Sequence, residues 1–129
     1  MSDANANTNK NVFSFPVTTH HEPERISDLL INANETGATS YWCAIVVRHN
    51  FDDADAMYDV EREDFHWSVV DHGDDGETYH IQQADVLKGL MKFAHNAPRH
   101  YADWIKENDD CITCDVFLQY LVFGEIKYS

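Results

Sequence analysis

The C-terminal stretch of residues 110–128 constrains the fold more than any other part of the chain. Its sequence, DCITCDVFLQYLVFGEIKY, is apolar on almost every side of a helix for three turns. Such a helix must be surrounded by protein, because none of its sides is polar enough to face water. Asp109, Asp110 or Thr113 is suited to cap its start, and Gly124 is suited to end it. The sequence therefore predicts that this helix forms the centre of the core.

Other helices and strands are indicated by the spacing of apolar residues. Positions 26, 29, 30 and 33 repeat at helical spacing between Pro23 and Gly37, and positions 87, 90, 91 and 94 do so before Pro98. A short helix follows Pro98 and ends near Asn108. Residues 41–47 are continuously apolar, which is typical of a strand buried on both faces, so we place that strand centrally in the sheet.

The remaining strand signals form a hairpin. Phe65, Trp67 and Val69 alternate with polar residues, glycine-containing turn residues follow at 72–77, and Tyr79 and Ile81 continue the alternation. The order of elements predicts an α+β fold, in which helices pack on one face of a small antiparallel sheet. We assign residues 1–22 to a flexible N-terminal tail, because residues 1–12 are small and polar without periodicity and Phe13, Phe15 and Val17 then indicate only a short extended segment. Residues 23–129 are assigned to a single domain.

Charge limits the partners that this chain can bind. It carries 23 acidic residues against nine Lys and Arg, a formal net charge of −14. That charge disfavours direct binding to nucleic acid or to anionic membranes and favours basic protein surfaces. No run approaches the roughly 18 apolar residues of a membrane helix, and residues 1–22 lack a signal-peptide core. We therefore expect a cytoplasmic protein, and its three cysteines favour free thiols.

Two groups of residues raise the question of metal or redox chemistry. Cys111 and Cys114 form a CxxC motif at the start of the long helix, but zinc requires more ligands and a thioredoxin-like site requires a βαβ context. His66, His72 and His80 lie on the predicted hairpin without a recognised metal signature. Phosphate-binding loops and nucleophile elbows are also missing. We expect no enzymatic activity, no metal and no cofactor. A CxxC metal or redox protein is a third hypothesis for the function, in addition to the two given at the end of this subsection.

Acidic residues concentrate between Asp52 and Glu77. This block holds eleven acids and a single Lys or Arg, Arg62, so it could imitate the phosphate backbone of a nucleic acid. The alternative is a solvated acidic loop that protects a sheet edge from aggregation.

Residues 86–102 have the opposite character, since they include three cations and no acid. An anionic ligand would be tolerated better here than elsewhere on the chain. The alternative is an amphipathic helix whose lysines simply face water. The candidate ligand-binding residues are Lys88, Lys92 and Arg99 for phosphate, with Trp42, Phe93 or Tyr101 to stack on a base.

Several short motifs resemble a group of small uncharacterised proteins of tailed phages and prophages. They are ISDLL at 26–30, YWC at 41–43, AD at 102–103, DVFLQY at 115–120 and FGEI at 123–126. The similarity spans about residues 24–128. This chain departs from the group in its N-terminal tail, in the acidic segment 51–64 and at residues 34–39, where a tighter glycine turn is expected.

The resemblance implies a counter-defence protein that acts inside the host cell. The group is similar to the anti-Thoeris proteins that sequester cyclic ADP-ribose signals, which favours capture of a nucleotide-type signal without catalysis. Assembly into a homo-oligomer would help to enclose such a ligand. The second hypothesis is an anti-CRISPR-like inhibitor that blocks a basic host defence complex with its acidic surface.

Overall fold

The computed structural model describes residues 12–47, 54–74 and 76–129. Four α-helices, three strands and one short 3₁₀ helix follow one another along these residues. In chain order they are α1 (Pro23–Glu35), β1 (Cys43–Val47), the 3₁₀ helix (Ala54–Tyr58), β2 (His66–Asp71), β3 (Thr78–Gln82), α2 (Gln83–Asn96), α3 (Pro98–Ile105) and α4 (Cys111–Phe123). The predicted α+β class is confirmed, with an antiparallel sheet and a buried C-terminal helix.

The sheet has the order β1-β2-β3, and both neighbouring pairs are antiparallel. The predicted hairpin is confirmed, since Trp67 of β2 lies opposite Ile81 of β3. The central position predicted for residues 41–47 is wrong, because β2 is the central strand and β1 is at an edge. The apolar run misled the prediction because Trp42 precedes the strand and packs on Phe123 and Tyr128, while Val46 is half exposed.

Helix α4 is the centre of the core, as the sequence predicts. Every residue from 113 to 121 is buried, and the helix contacts the other three helices and β3. Its first turn is capped by Asp110, whose carboxylate accepts a hydrogen bond of 3.0 Å from the backbone N–H of Thr113. Gly124 ends it with a φ of 73°, a left-handed conformation that glycine adopts without strain.

Of the three buried polar side chains of α4, Asp115 and Gln119 hold other parts of the chain. Asp115 accepts hydrogen bonds from the Tyr41 hydroxyl at 2.5 Å and from the Trp42 indole at 2.8 Å. Gln119 accepts bonds from the backbone N–H groups of Lys127 and Tyr128, each at 2.8 Å. These bonds satisfy groups that would otherwise be costly to bury. The C-terminal residues therefore lie against α4 without forming a strand.

Helix α2 buries a different face from the one predicted. The pattern at positions 87, 90, 91 and 94 correctly indicates a helix, but Leu87 and Met91 are exposed. The buried residues are Val86, Gly89, Leu90 and Phe93. Gly89 explains the difference, because its missing side chain lets α2 approach Leu121 of α4 closely. A pattern search that counts only large apolar residues does not detect this contact.

The segment before α1 is described from residue 12 onward. Residues 12–22 form neither helix nor strand. Near the end of this segment, His21 shares a hydrogen bond of 2.7 Å with the Tyr101 hydroxyl and packs against Trp104. The assignment of residues 1–22 to a flexible tail stays a prediction, and residues 1–11 lie outside the described part of the chain.

Candidate functional site: an acidic groove

A groove of about 520 Å³ separates α1 from the 3₁₀ helix and the segment that follows it. Glu24 and Asp28 lie on one side of it, one helical turn apart on α1, and Asp59 and Glu61 lie on the other side. All four carboxylates are exposed. The floor is formed in part by Ile31 and Tyr58, so the groove combines an apolar base with an acidic rim.

The local fold explains how the two sides are held together. Ser27 of α1 donates a hydrogen bond of 2.7 Å to the backbone oxygen of Tyr58. The Tyr58 hydroxyl donates to the Glu35 carboxylate at 2.6 Å and accepts from the Asn34 amide at 3.0 Å. The Asp59 carboxylate accepts a bond of 3.0 Å from the backbone N–H of Glu61, which orders the turn that carries both acids. These hydrogen bonds fix the two sides of the groove relative to each other.

The charge of the groove is strongly negative. Among the described residues that line it, the one Lys or Arg is Arg62, which donates two hydrogen bonds to the Asp64 carboxylate, at 2.8 and 2.9 Å. Those bonds raise the pKa of the Arg62 guanidinium, and Asp64 neutralises its charge. Within residues 12–47, 54–74 and 76–129, none of the four rim carboxylates has an ion pair. The rim is therefore dominated by negative charge, although Arg62 also interacts with Asp59 through its charge.

This groove includes only part of the acidic block that the sequence indicates. Asp71 belongs to the block but is fully buried, where it binds Lys127 and Tyr128, so its role is structural. Asp52, Asp53 and Asp75 lie outside the described residues. Glu24 and Asp28 were missed by sequence reasoning, although their spacing of four residues on the polar face of α1 is a signal that could have found them.

The predicted phosphate-binding residues are only partly brought together. Lys88 and Lys92 line one shallow groove between α2 and the C-terminal end of α4, and Asp85 lines it too. Its volume of about 220 Å³ is below the roughly 300–1,000 Å³ of most small-molecule sites. Arg99 is exposed on α3 and does not line this groove. Lysines near the end of α4 also offset the negative end of that helix.

Two of the three aromatic residues proposed for base stacking, Trp42 and Phe93, are not placed for that role. Trp42 and Phe93 have no exposed surface, and both lie in the core. Phe93 packs edge-on against Phe117 of α4, which leaves no face open to a ligand. Tyr101 is partly exposed, but its hydroxyl binds His21. A stacked base at Trp42 or Phe93 would require the core to open, which weakens the nucleotide hypothesis.

The two thiols of the CxxC motif differ in exposure, and two histidines of the hairpin form a bonded pair. Cys111 is exposed, whereas Cys114 is buried. His66 and His80 lie diagonally across the hairpin and share a hydrogen bond of 3.0 Å. In the part of the chain that the structure describes, no three His, Cys, Asp or Glu side chains cluster closely enough to hold a metal ion. The hypothesis of a CxxC metal or redox protein therefore gains no support from the geometry.

Comparisons with protein-family models, curated proteins and solved structures found no match. The resemblance to small phage proteins therefore stays a prediction. None of the helices among the described residues has both the length and the apolar character needed to cross a membrane.

Proposed function

We propose that this protein is a non-catalytic counter-defence factor of phage origin that blocks a basic host protein complex through its acidic groove. The observation that carries the proposal is the groove rim, where Glu24, Asp28, Asp59 and Glu61 are exposed, while Arg62, the cation among the described lining residues, is bound by Asp64. The resemblance to phage proteins supplies the biological setting. The acidic groove supplies the docking surface.

The physical basis is competition for a surface that normally binds nucleic acid. Such surfaces present Lys and Arg to phosphates, and a protein rim of carboxylates offers them the same sign of charge. A net charge of −14 would also accelerate encounter with a basic partner by electrostatic steering. Ile31, which is partly exposed on the floor of the groove, adds an apolar contact that salt does not weaken.

A plating assay tests this function. The protein is expressed in bacteria that carry one defence system at a time, including CRISPR effectors with basic nucleic-acid channels. Restored plating of a defence-sensitive phage identifies the target system. The variant E24Q/D28N/D59N/E61Q should then lose that restoration, because it removes the rim charge and changes side-chain size little.

A matched variant controls for net charge. Asp103→Asn, Asp109→Asn, Glu107→Gln and Glu125→Gln also remove four carboxylates, but none of these residues lines the groove. This control should still restore plating. Equal loss in both variants would assign the effect to overall charge, and full activity of the groove variant would refute the proposal.

Sequestration of a nucleotide signal is the second candidate function. It is favoured by Lys88 and Lys92, which face one groove from successive turns of α2. Cyclic ADP-ribose isomers should then raise the melting temperature of the wild type, and K88Q/K92Q should abolish that shift. No shift at saturating ligand would remove this candidate without affecting the first.

A further inference from the structure

Helix α2 exposes an apolar stripe beside its buried face. Leu87 and Met91 are each 63% exposed and lie one helical turn apart. Together with Ala94 they line a groove of about 490 Å³, whose other side is formed by Val17 and His21. Large apolar side chains this exposed and this close together are typical of a docking surface.

The segment that leads into this groove is apolar and exposed as well. Phe13 is 96% exposed, Phe15 80% and Val17 72%. We name residues 12–17 the arm. The arm and the α2 stripe meet at Val17, yet Phe13 and Phe15 do not cover the stripe of their own chain. Among the residues that the structure describes, an exposed apolar arm therefore lies next to an exposed apolar stripe.

Charge indicates which partner fits this surface. Residues 12–21 contain no Asp or Glu, and residues 86–102 contain none either. In a chain with a net charge of −14, two copies repel each other least where both faces are free of acid. The arm and the stripe are acid-free stretches that meet at one groove, where Val17 lies at the end of the arm. A second copy is therefore an occupant that this surface can accept.

We propose that the chain forms a twofold dimer in which the arm of each copy lies on the α2 stripe of the other. A twofold interface requires one patch that contains both complementary parts, and the arm and stripe meet this requirement. The inference does not rest on the proposed function. A dimer would present two acidic grooves to a partner and so bind it more tightly than a single copy.

Size-exclusion chromatography with light scattering tests the dimer. The wild type should have twice the 14.9 kDa mass of one chain at micromolar concentration. L87E/M91E should be monomeric, and so should F13S/F15S, whose changes lie outside every helix and strand. Added salt should strengthen association, because it screens the repulsion between two acidic copies. A monomeric wild type at every concentration would overturn the proposal.

A control variant and a mixing experiment locate the contact. Ile112 and Ile126 line a different exposed groove, so I112E/I126E should remain dimeric. Mixing L87E/M91E with F13S/F15S should restore part of the dimer, since one intact arm then meets one intact stripe. Dissociation by the control alone would place the interface elsewhere. No restoration on mixing would contradict the exchange of arms, and weaker association in high salt would indicate an ion-paired contact instead.

Discussion

The Lys127 ammonium donates a hydrogen bond of 2.8 Å to the buried carboxylate of Asp71, which closes the C-terminal segment onto β2. The same carboxylate accepts a bond of 2.6 Å from the Tyr128 hydroxyl and one of 3.0 Å from the backbone N–H of Gly73. Burial by itself would raise the pKa of Asp71. The bonds from Lys127, Tyr128 and Gly73 outweigh burial, and the pKa is lowered.

The lowered pKa of Asp71 predicts a contribution to the stability of the fold that is lost at low pH. A carboxyl group with a lowered folded-state pKa stabilises the fold above its ordinary value of 3.8, and the contribution is lost as the pH falls through the folded-state pKa. Asp71→Asn should therefore destabilise the protein at neutral pH, and the difference from the wild type should shrink below about pH 4. Urea unfolding across that range measures it, and a constant difference would contradict the assignment.

The raised pKa of Tyr128 predicts a loss of stability at alkaline pH. Burial, followed by the bond to Asp71, raises its pKa from 10.0 to about 12. A group with a raised folded-state pKa favours folding below its ordinary value and loses that contribution as the pH rises through the folded value. Tyr128→Phe should thus reduce the loss of stability between about pH 10 and pH 12. Thermal unfolding at alkaline pH, compared with Tyr120→Phe as a control, measures the change.

The three thiols should react at different rates. Cys111 is exposed, whereas burial raises the pKa of Cys43 to about 11 and that of Cys114 to about 12. Because the thiolate is the reactive form, a disulfide reagent at neutral pH should modify Cys111 in the native protein and the other two only after unfolding. Release of the coloured thiol product counts the reactive groups. Rapid reaction of Cys114 in the native state would show that the start of α4 opens.

Gly89 should be one of the least replaceable residues of α2. A Cβ at this position would lie 3.0 Å from the Cα of Leu121 and closer still to its side chain. Alanine favours a helix by up to about 1 kcal/mol, but overpacking against a backbone costs about 1–3 kcal/mol. Gly89→Ala should therefore lower the free energy of unfolding measured in urea. Increased stability would mean that the α2–α4 contact is looser than described.

The sequence predicts the helices well where apolar spacing and caps agree. Helix α4 follows from its continuous apolar run, and Asp110 and Gly124 mark its ends as expected. The order of the strands could not be predicted from the sequence. Trp42 lengthens the apolar run at residues 41–47, but it packs on Phe123 of α4 and is not part of the strand. The buried face of α2 does not follow either, because the contact that decides it is made by Gly89, whose side chain gives no hydrophobic signal.

The candidate site is less predictable because it depends on which charged residues the fold brings together. The acids of segment 59–61 are visible as part of a charge run, but their pairing with Glu24 and Asp28 depends on how α1 packs. Asp71 shows the converse, since it belongs to the same run and is buried by a partner 56 residues away. Long-range packing of this kind has no local sequence pattern.

A comparison of two charge variants in one plating assay tests the central claim most directly. E24Q/D28N/D59N/E61Q alters the acidic groove, and K88Q/K92Q alters the basic groove. Against the defence system that the wild type overcomes, the account predicts that the first variant loses counter-defence and the second retains it. Loss in the lysine variant together with full activity of the groove variant would contradict the account and favour capture of an anionic signal.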